Sequence, residues 1–370
     1  MKLLSLHSKL NQFESCRDFV NEFQISKNDL IITCSYIYED FFKDLHLDAQ
    51  IIYQDRYGAG EPNDEMILDM TAAIDGSYER IFGIGGGTVM DISKLFALKQ
   101  MTPLVGLFTG KVTPEKKCPL ILVPTTCGTG SEVTNVSIVG FPSLDTKLRL
   151  AADALYADDA VIIPELTSHL PRQVFATSSI DALIHAIESS LSPLATPYSQ
   201  VFGHEAMRMI IRAYQQIRQH GYDILDSLMD DFLVASNFAG IAFGKAGCGA
   251  VHALSYPLSG KYHVAHGEAN YALLTSVLKK YAAKNCSAKY DEVIRILAEA
   301  LKCDPKNVTS ELDQLLSVVL PKKAMHEYGT TPDDIPAFAE SVLTYQQVIM
   351  SHNPTVLSKD DIIDIYNDCL

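Results

Sequence analysis

Basic side chains are scarce in this chain of 370 residues: 30 Lys and Arg stand against 45 Asp and Glu, for a net charge of -15. That balance argues against a nucleic-acid partner, because phosphates need concentrated Lys and Arg. It also argues against docking on an anionic membrane surface. No stretch approaches the roughly 20 uninterrupted apolar residues of a membrane span. The first ten residues lack a sustained apolar core and a small-residue cleavage site, so a signal peptide is not expected. The eight cysteines (16, 34, 118, 127, 248, 286, 303 and 369) form no Cys-x-x-Cys pair, which points to reduced thiols rather than a disulfide framework. Internal repeats, low-complexity tracts and long linkers are missing too. These absences lead us to expect a soluble, cytoplasmic protein.

What is present is an ordinary globular composition, 47% hydrophobic and 20% charged, in a chain long enough for two domains. Residues 29–34, 49–53, 80–84 and 119–123 read as strands that are apolar throughout. Helical patterns at 65–73 and 89–99 fall on either side of the third. Such alternation indicates a parallel sheet covered on both faces. Runs at 134–141 and 147–152 suggest a hairpin appended to that sheet, and 160–163 a last strand. Beyond Pro171 the pattern is helical almost to the end, clearest at 172–191, 198–219, 224–243, 268–283 and 290–301. The fold class expected is an α/β domain over 1–165 followed by an all-α domain over 166–370.

Asp181 and His185 lie four apart in a helical stretch, which stacks both side chains on one helical face. His252 and His266 lie in a second region that folding must bring alongside. One carboxylate and three imidazoles suit iron(II) or zinc and leave a position open for substrate.

Two further stretches follow strands. Gly83-Ile84-Gly85-Gly86-Gly87-Thr88-Val89-Met90-Asp91-Ile92-Ser93-Lys94 opens a helix, and its consecutive glycines let backbone N–H groups approach a diphosphate. Thr88 can cap that helix, with Asp91 completing a capping-like arrangement. Val123-Pro124-Thr125-Thr126-Cys127-Gly128-Thr129-Gly130-Ser131-Glu132-Val133-Thr134 is dense in hydroxyls that can bond a nucleotide without adding charge.

In their order along residues 29–283 these elements resemble the iron-containing (group III) alcohol dehydrogenase family. The resemblance implies a Rossmann-like dinucleotide-binding domain, a helical metal-binding and substrate domain, and a cleft holding metal and nicotinamide. It implies cofactor contacts at Gly86, Gly87, Thr88, Thr125, Thr126, Thr129, Thr134 and Lys147. It implies Asp181, His185, His252 and His266 as metal ligands, with iron(II) or zinc as the ion. A homodimer and a small-molecule alcohol substrate are the expected partners. The chemistry would be NAD(P)-linked interconversion of a primary alcohol and an aldehyde. Cys127 and Cys248 are expected to be inert packing residues.

Departures from the family pattern carry the substrate information. Tyr256 stands where many members have a further His, and a phenol is a poor near-neutral proton shuttle. His263 is another candidate relay member. Lys245 stands where members commonly carry Asn, and its ammonium suits a carboxylate. Lys245 and Tyr256 together point to an ω-hydroxy acid, with 4-hydroxybutyrate and succinate semialdehyde the expected pair. A broad primary-alcohol or 1,3-propanediol dehydrogenase is the alternative, and a dehydroquinate-synthase-like lyase a more distant one. Cys34-Ser35 offers no acid where NAD-selective members place an Asp, so charge does not bar NADP. NAD is expected from the habit of the branch.

Overall fold

The computed structural model describes residues 3–144, 146–284 and 287–370. Asp145, in the expected hairpin turn, and Cys286 lie outside them; the other seven cysteines are thiols, not disulfides. The chain forms two compact units, one of Leu6–Leu170 and one of Pro171–Leu370 with residues 3–5. The two units divide after Leu170. Glu165 ties its segment to the first unit, its carboxylate accepting the Cys16 backbone N–H at 2.6 Å.

In the first unit, strands β1 (Lys9–Gln12), β2 (Asp29–Thr33), β3 (Gln50–Tyr53), β4 (Arg80–Gly85), β5 (Leu120–Pro124) and β8 (Asp159–Ile162) make one parallel sheet. Its order is β1-β8-β5-β4-β2-β3. β2 and β5 are buried at every position, as strands with both faces covered must be. Helices α1 (Cys16–Phe23), α2 (Ser35–Phe41), α3 (Asp64–Ala72), α4 (Gly87–Phe96) and α5 (Leu104–Phe108) alternate with them. Phe82 anchors the core edge-on to Phe19 and Phe23, at ring distances of 5.9 and 5.8 Å. Burying a side chain of this size contributes about 1.5–3 kcal/mol.

Chain order reverses around β2, with β3 on one side and β4 on the other. The carboxyl ends of β2 and β4 therefore flank a switch point, where open α/β sheets take their ligands. β1 was not evident from the sequence, because three of its four residues are polar and they are mostly exposed at the sheet edge. The hairpin of β6 (Val136–Phe141) and β7 (Thr146–Ala151) forms its own two-stranded sheet instead of extending the large one.

The second unit is helical: α6 (Arg172–Leu191), α7 (Pro197–His220), α8 (Met229–Ala246), α9 (Ala250–Tyr262), α10 (His266–Ala283), α11 (Ala288–Leu301), α12 (Val308–Val319), α13 (Ile335–Tyr345), α14 (Gln347–Met350) and α15 (Lys359–Cys369). The helix expected to begin at 224 starts at Met229, after a 3₁₀ segment at Tyr222–Leu228. α9 escapes sequence patterning because Pro257 interrupts it and Ser and Gly dilute it. α6 is the central helix, buried over most of its length and packed on α7, α8 and α10. Where α10 begins, Gly267 lets the helices touch: a Cβ there would fall 2.0 Å from the Thr177 carbonyl oxygen of α6. Among the described residues, no helix is long and apolar enough to cross a membrane.

Candidate active site

Three residues on one face of α6 carry the site: Asp181, His185 and Glu188, all buried. Glu188, seven residues after Asp181, completes the stripe that the 3.6-residue period allows. Its carboxylate takes the backbone N–H groups of Gly249 and Val251 at 2.9 and 2.6 Å, satisfying donors that the start of α9 leaves orphaned. The same carboxylate accepts His252 Nδ1–H at 2.6 Å, so the other ring nitrogen, Nε2, points away from it.

That Nε2 lies 3.6 Å from Asp181 Oδ1 and 3.0 Å from His185 Nε2. His266, the first residue of α10, presents Nε2 3.9 Å from Asp181 Oδ1. His185 Nδ1 is 3.9 Å from Asp181 Oδ2, and its ring is stacked between those of Phe243 (4.4 Å) and His252 (4.6 Å). Asp181, His252 and His266 gather their donor atoms within 4.8 Å of one another. His185 joins through His252, in a second such group with Cys248.

These donors fit a divalent ion. Two donors each about 2.1 Å from one ion lie roughly 3–3.5 Å apart, close to the separations here and too long for most to be hydrogen bonds. Among the described residues, no Lys or Arg forms an ion pair with Asp181 or Glu188. Burial works against ionisation of Asp181, yet His185, His266 and His252 outweigh it and hold the carboxyl below its usual range. The positive charge this pocket requires can come from protons on imidazole or from one metal ion. His266, with 35% of its side chain exposed, marks the open side; Asp181 and His252 are nearly closed off.

One neighbour besides Glu188 lay outside the sequence reading. Asn270, one turn after His266, donates from Nδ2 to Asp181 Oδ1 at 2.8 Å and lies 3.2 Å from His266 Nε2. Cys248, expected as a packing residue, has its sulfur within 4.8 Å of a nitrogen of His185 and of His252. Burial pushes its thiol up, but those imidazoles outweigh it and bring it down to about 7. Cys127 is fully buried.

Lys245 ends α8, between Phe243 and Cys248 in sequence, and is half-buried. No hydrogen bond or ion pair joins its ammonium to a described residue. Tyr256, one turn after His252 on α9, has its ring 6.2 Å from that of His266. His263 is exposed and ends α9 in the left-handed region (φ 54°).

In the first unit, Gly85 of β4 lies opposite Pro124 of β5, and the Thr125 N–H donates to the Gly85 carbonyl at 3.1 Å. The glycine and threonine loops thus leave adjacent strand ends together. A Cβ on Gly87 would come within 2.9 Å of Thr129 Cγ2, so the loops meet only because that position is bare. Gly86 is the N-cap of α4, and no side chain caps the helix. Thr88 is therefore not the cap; it is the second residue of α4, and its hydroxyl donates to the Gly60 carbonyl at 2.9 Å. Nor does Asp91 reach back. It accepts from Ser131 Oγ at 2.6 Å, from Lys94 Nζ at 3.2 Å and from the Ile138 N–H at 3.1 Å.

Lys94 is fully buried and also donates to Ser131 Oγ, to Thr134 Oγ1 and to the Val136 carbonyl, which binds α4 to the threonine loop. Thr125 is buried, Thr126 lies beside Gly86, and Lys147 on β7 is paired with Glu61. The acid missing from the end of β2 arrives from the end of β3. Asp55 accepts the Ser35 N–H at 2.7 Å and the Ser35 hydroxyl as well.

A switch point beside a bare glycine loop, and a buried Asp/His cluster on a central helix, agree with the comparisons. Residues 6–164 match the family model for iron-containing alcohol dehydrogenase, and residues 175–370 the model for the C-terminal part of the Fe-containing alcohol dehydrogenase family. The chain is 45% identical to a 4-hydroxybutyrate dehydrogenase of Clostridium kluyveri, over 99% of each chain. It is 34% identical to long-chain-alcohol dehydrogenase 1 of Geobacillus thermodenitrificans, over 80% of this chain and 75% of that one. A sulfoacetaldehyde reductase from Bifidobacterium kashiwanohense, solved with NAD+, shares the fold with a TM-score of 0.86 at 20% identity. That match covers 99% of this chain and 98% of the other. Sequence motifs, sheet topology and buried donor cluster all converge: the chain belongs to the iron-containing alcohol dehydrogenase family.

Proposed function

We propose that this chain is an iron-dependent, NAD-linked dehydrogenase that interconverts 4-hydroxybutyrate and succinate semialdehyde. The observation that carries the reading is full-length 45% identity to an enzyme of that name, in a chain that brings Asp181, His252 and His266 together. The α/β unit is the dinucleotide-binding domain, and the helical unit holds metal and substrate. Asp181, His185, His252 and His266 hold the ion. Gly86, Gly87, Thr88, Thr125, Thr126, Thr129, Thr134 and Lys147 serve the cofactor.

An ion in this place supplies Lewis acidity to the alcohol, and a nicotinamide supplies the hydride acceptor. The residues of the chain do the remaining work. Glu188 fixes the tautomer and tilt of His252, and Asn270 holds Asp181 against His266. Lys245, with no ion partner among the described residues, holds the carboxylate of the substrate as a point charge. Tyr256 lies one turn from His252, where its phenol can hydrogen-bond the substrate, and His263 is the outer candidate for moving the proton to solvent. Asp55 favours NAD, since a carboxylate at the strand ends accepts from ribose hydroxyls and repels a 2′-phosphate. A homodimer in the cytoplasm completes the reading.

Initial rates on iron-loaded enzyme test it, comparing 4-hydroxybutyrate with 1-butanol and 1,3-propanediol. The expected result is a kcat/KM for the hydroxy acid at least about a hundredfold above that for butanol, roughly 2.7 kcal/mol. Equal turnover of the neutral alcohols would reject the hydroxy-acid assignment and leave a broad primary-alcohol dehydrogenase.

A further inference from the structure

Cys248 lies on a turn that is pinned on both sides. Gly247, at φ 74°, ends α8, and a Cβ there would collide with the His352 ring at 2.3 Å. His352 Nδ1–H donates to the Cys248 carbonyl at 3.1 Å, and Glu188 takes the N–H of Gly249 at 2.9 Å. With its backbone held this way, the Cys248 sulfur is delivered to one place. That place is polar, not apolar: the sulfur and one nitrogen each of His185 and His252 all lie within 4.8 Å of one another. A cysteine that only filled space would face carbon. Two imidazoles and a sulfur on a rigid support are a donor set.

We infer that Cys248 is a thiolate ligand of the metal centre, giving the ion a sulfur-containing face made by His185, Cys248 and His252. The inference rests on the metal-site reading of Asp181, His185, His252 and His266 and adds a donor to it. Binding releases the thiol proton to solvent, so sulfur carries one negative charge toward the ion. His252 belongs to both donor groups, which places this face directly beside the Asp181–His252–His266 triad. The chemical consequence is metal choice. A soft sulfur donor raises the affinity of a site of nitrogen and oxygen ligands for zinc relative to iron(II).

The test is cobalt(II) reconstitution of the metal-free full-length protein, followed by absorption spectroscopy. Wild type should show visible d–d bands together with a near-ultraviolet thiolate-to-cobalt charge-transfer band. Cys248→Ala and Cys248→Ser should keep visible bands and lose the ultraviolet one. Zinc affinity relative to iron(II) should fall at least about tenfold in Cys248→Ala, the lower end of what disturbing a metal site costs. Should the variants fail to fold, X-ray absorption of the zinc-loaded wild type decides alone, since a ligating sulfur gives a scatterer at about 2.3 Å. Cobalt bound with visible bands but no thiolate band, or zinc with no sulfur scatterer, overturns Cys248 as a ligand and leaves the metal centre standing. Failure of the wild type to take up one cobalt per chain overturns both.

Discussion

His252 Nδ1–H donates to Glu188 Oε2 across 2.6 Å, while the other oxygen of the same carboxylate takes the Val251 N–H at 2.6 Å. One buried side chain thus starts α9 and aims the imidazole that α9 carries. Glu188→Gln keeps the shape but turns an amide NH2 toward donors. We expect metal affinity to fall about 10- to 100-fold, measured by competition with a chromophoric chelator. An unchanged dissociation constant would mean that packing alone orients His252.

Asp55, just after β3, accepts the Ser35 N–H just after β2, and it is exposed, so its removal leaves the core alone. Asp55→Asn should raise kcat/KM for NADP relative to NAD on the order of tenfold, about 1.4 kcal/mol, by removing repulsion of the 2′-phosphate. Steady-state rates with each cofactor read this directly. If the ratio does not move, Asp55 serves only to brace Ser35.

Lys245→Met removes the charge while keeping the length of the side chain. KM for 4-hydroxybutyrate should rise at least about tenfold with little change for 1-butanol, the pattern of lost ground-state binding. Parallel losses on both substrates would assign Lys245 to the architecture of α8 rather than to the substrate.

Asp361 at the start of α15 caps its own helix through Ser358 and pairs with Lys284 at 2.7 Å. Burial opposes its ionisation, but the Lys284 ammonium and the Ser358 N–H and hydroxyl outweigh it and bring the carboxyl down to about 2, from the usual 3.8. A depressed carboxyl contributes its stability above the unfolded value and loses it as pH falls through the folded one. Asp361→Asn should therefore cost about 1 kcal/mol near neutral pH, after allowance for solvent screening. That difference should close between about pH 4 and pH 2, which denaturant melts across that range would follow. A constant gap down to pH 2 would show that charge is not the source.

Mostly apolar strands, consecutive glycines after a strand, and Asp181 and His185 one turn apart are local signals, and these were legible. Glu188 was not. A single Glu inside an apolar helix gives no hint of partners 61 to 64 residues away, although its place two turns after Asp181 was there to be counted. Asn270 reaches Asp181 over 89 positions, and Cys248 gains its meaning only from two imidazoles that the fold delivers. Thr88 misled for the opposite reason. A hydroxyl near a helix start predicts a cap, but the N-cap of α4 is Gly86 and the hydroxyl bonds Gly60 instead. β1 was invisible because an edge strand needs backbone partners more than an apolar face.

The absent side chain at Gly267 sets how far His266 stands from Asp181, because the start of α10 rests directly on the Thr177 carbonyl. The close approach of the two helices at this point thus depends on one hydrogen atom at position 267. The same tolerance makes this position a poor one for neutral drift, since even a methyl group would have to move a helix.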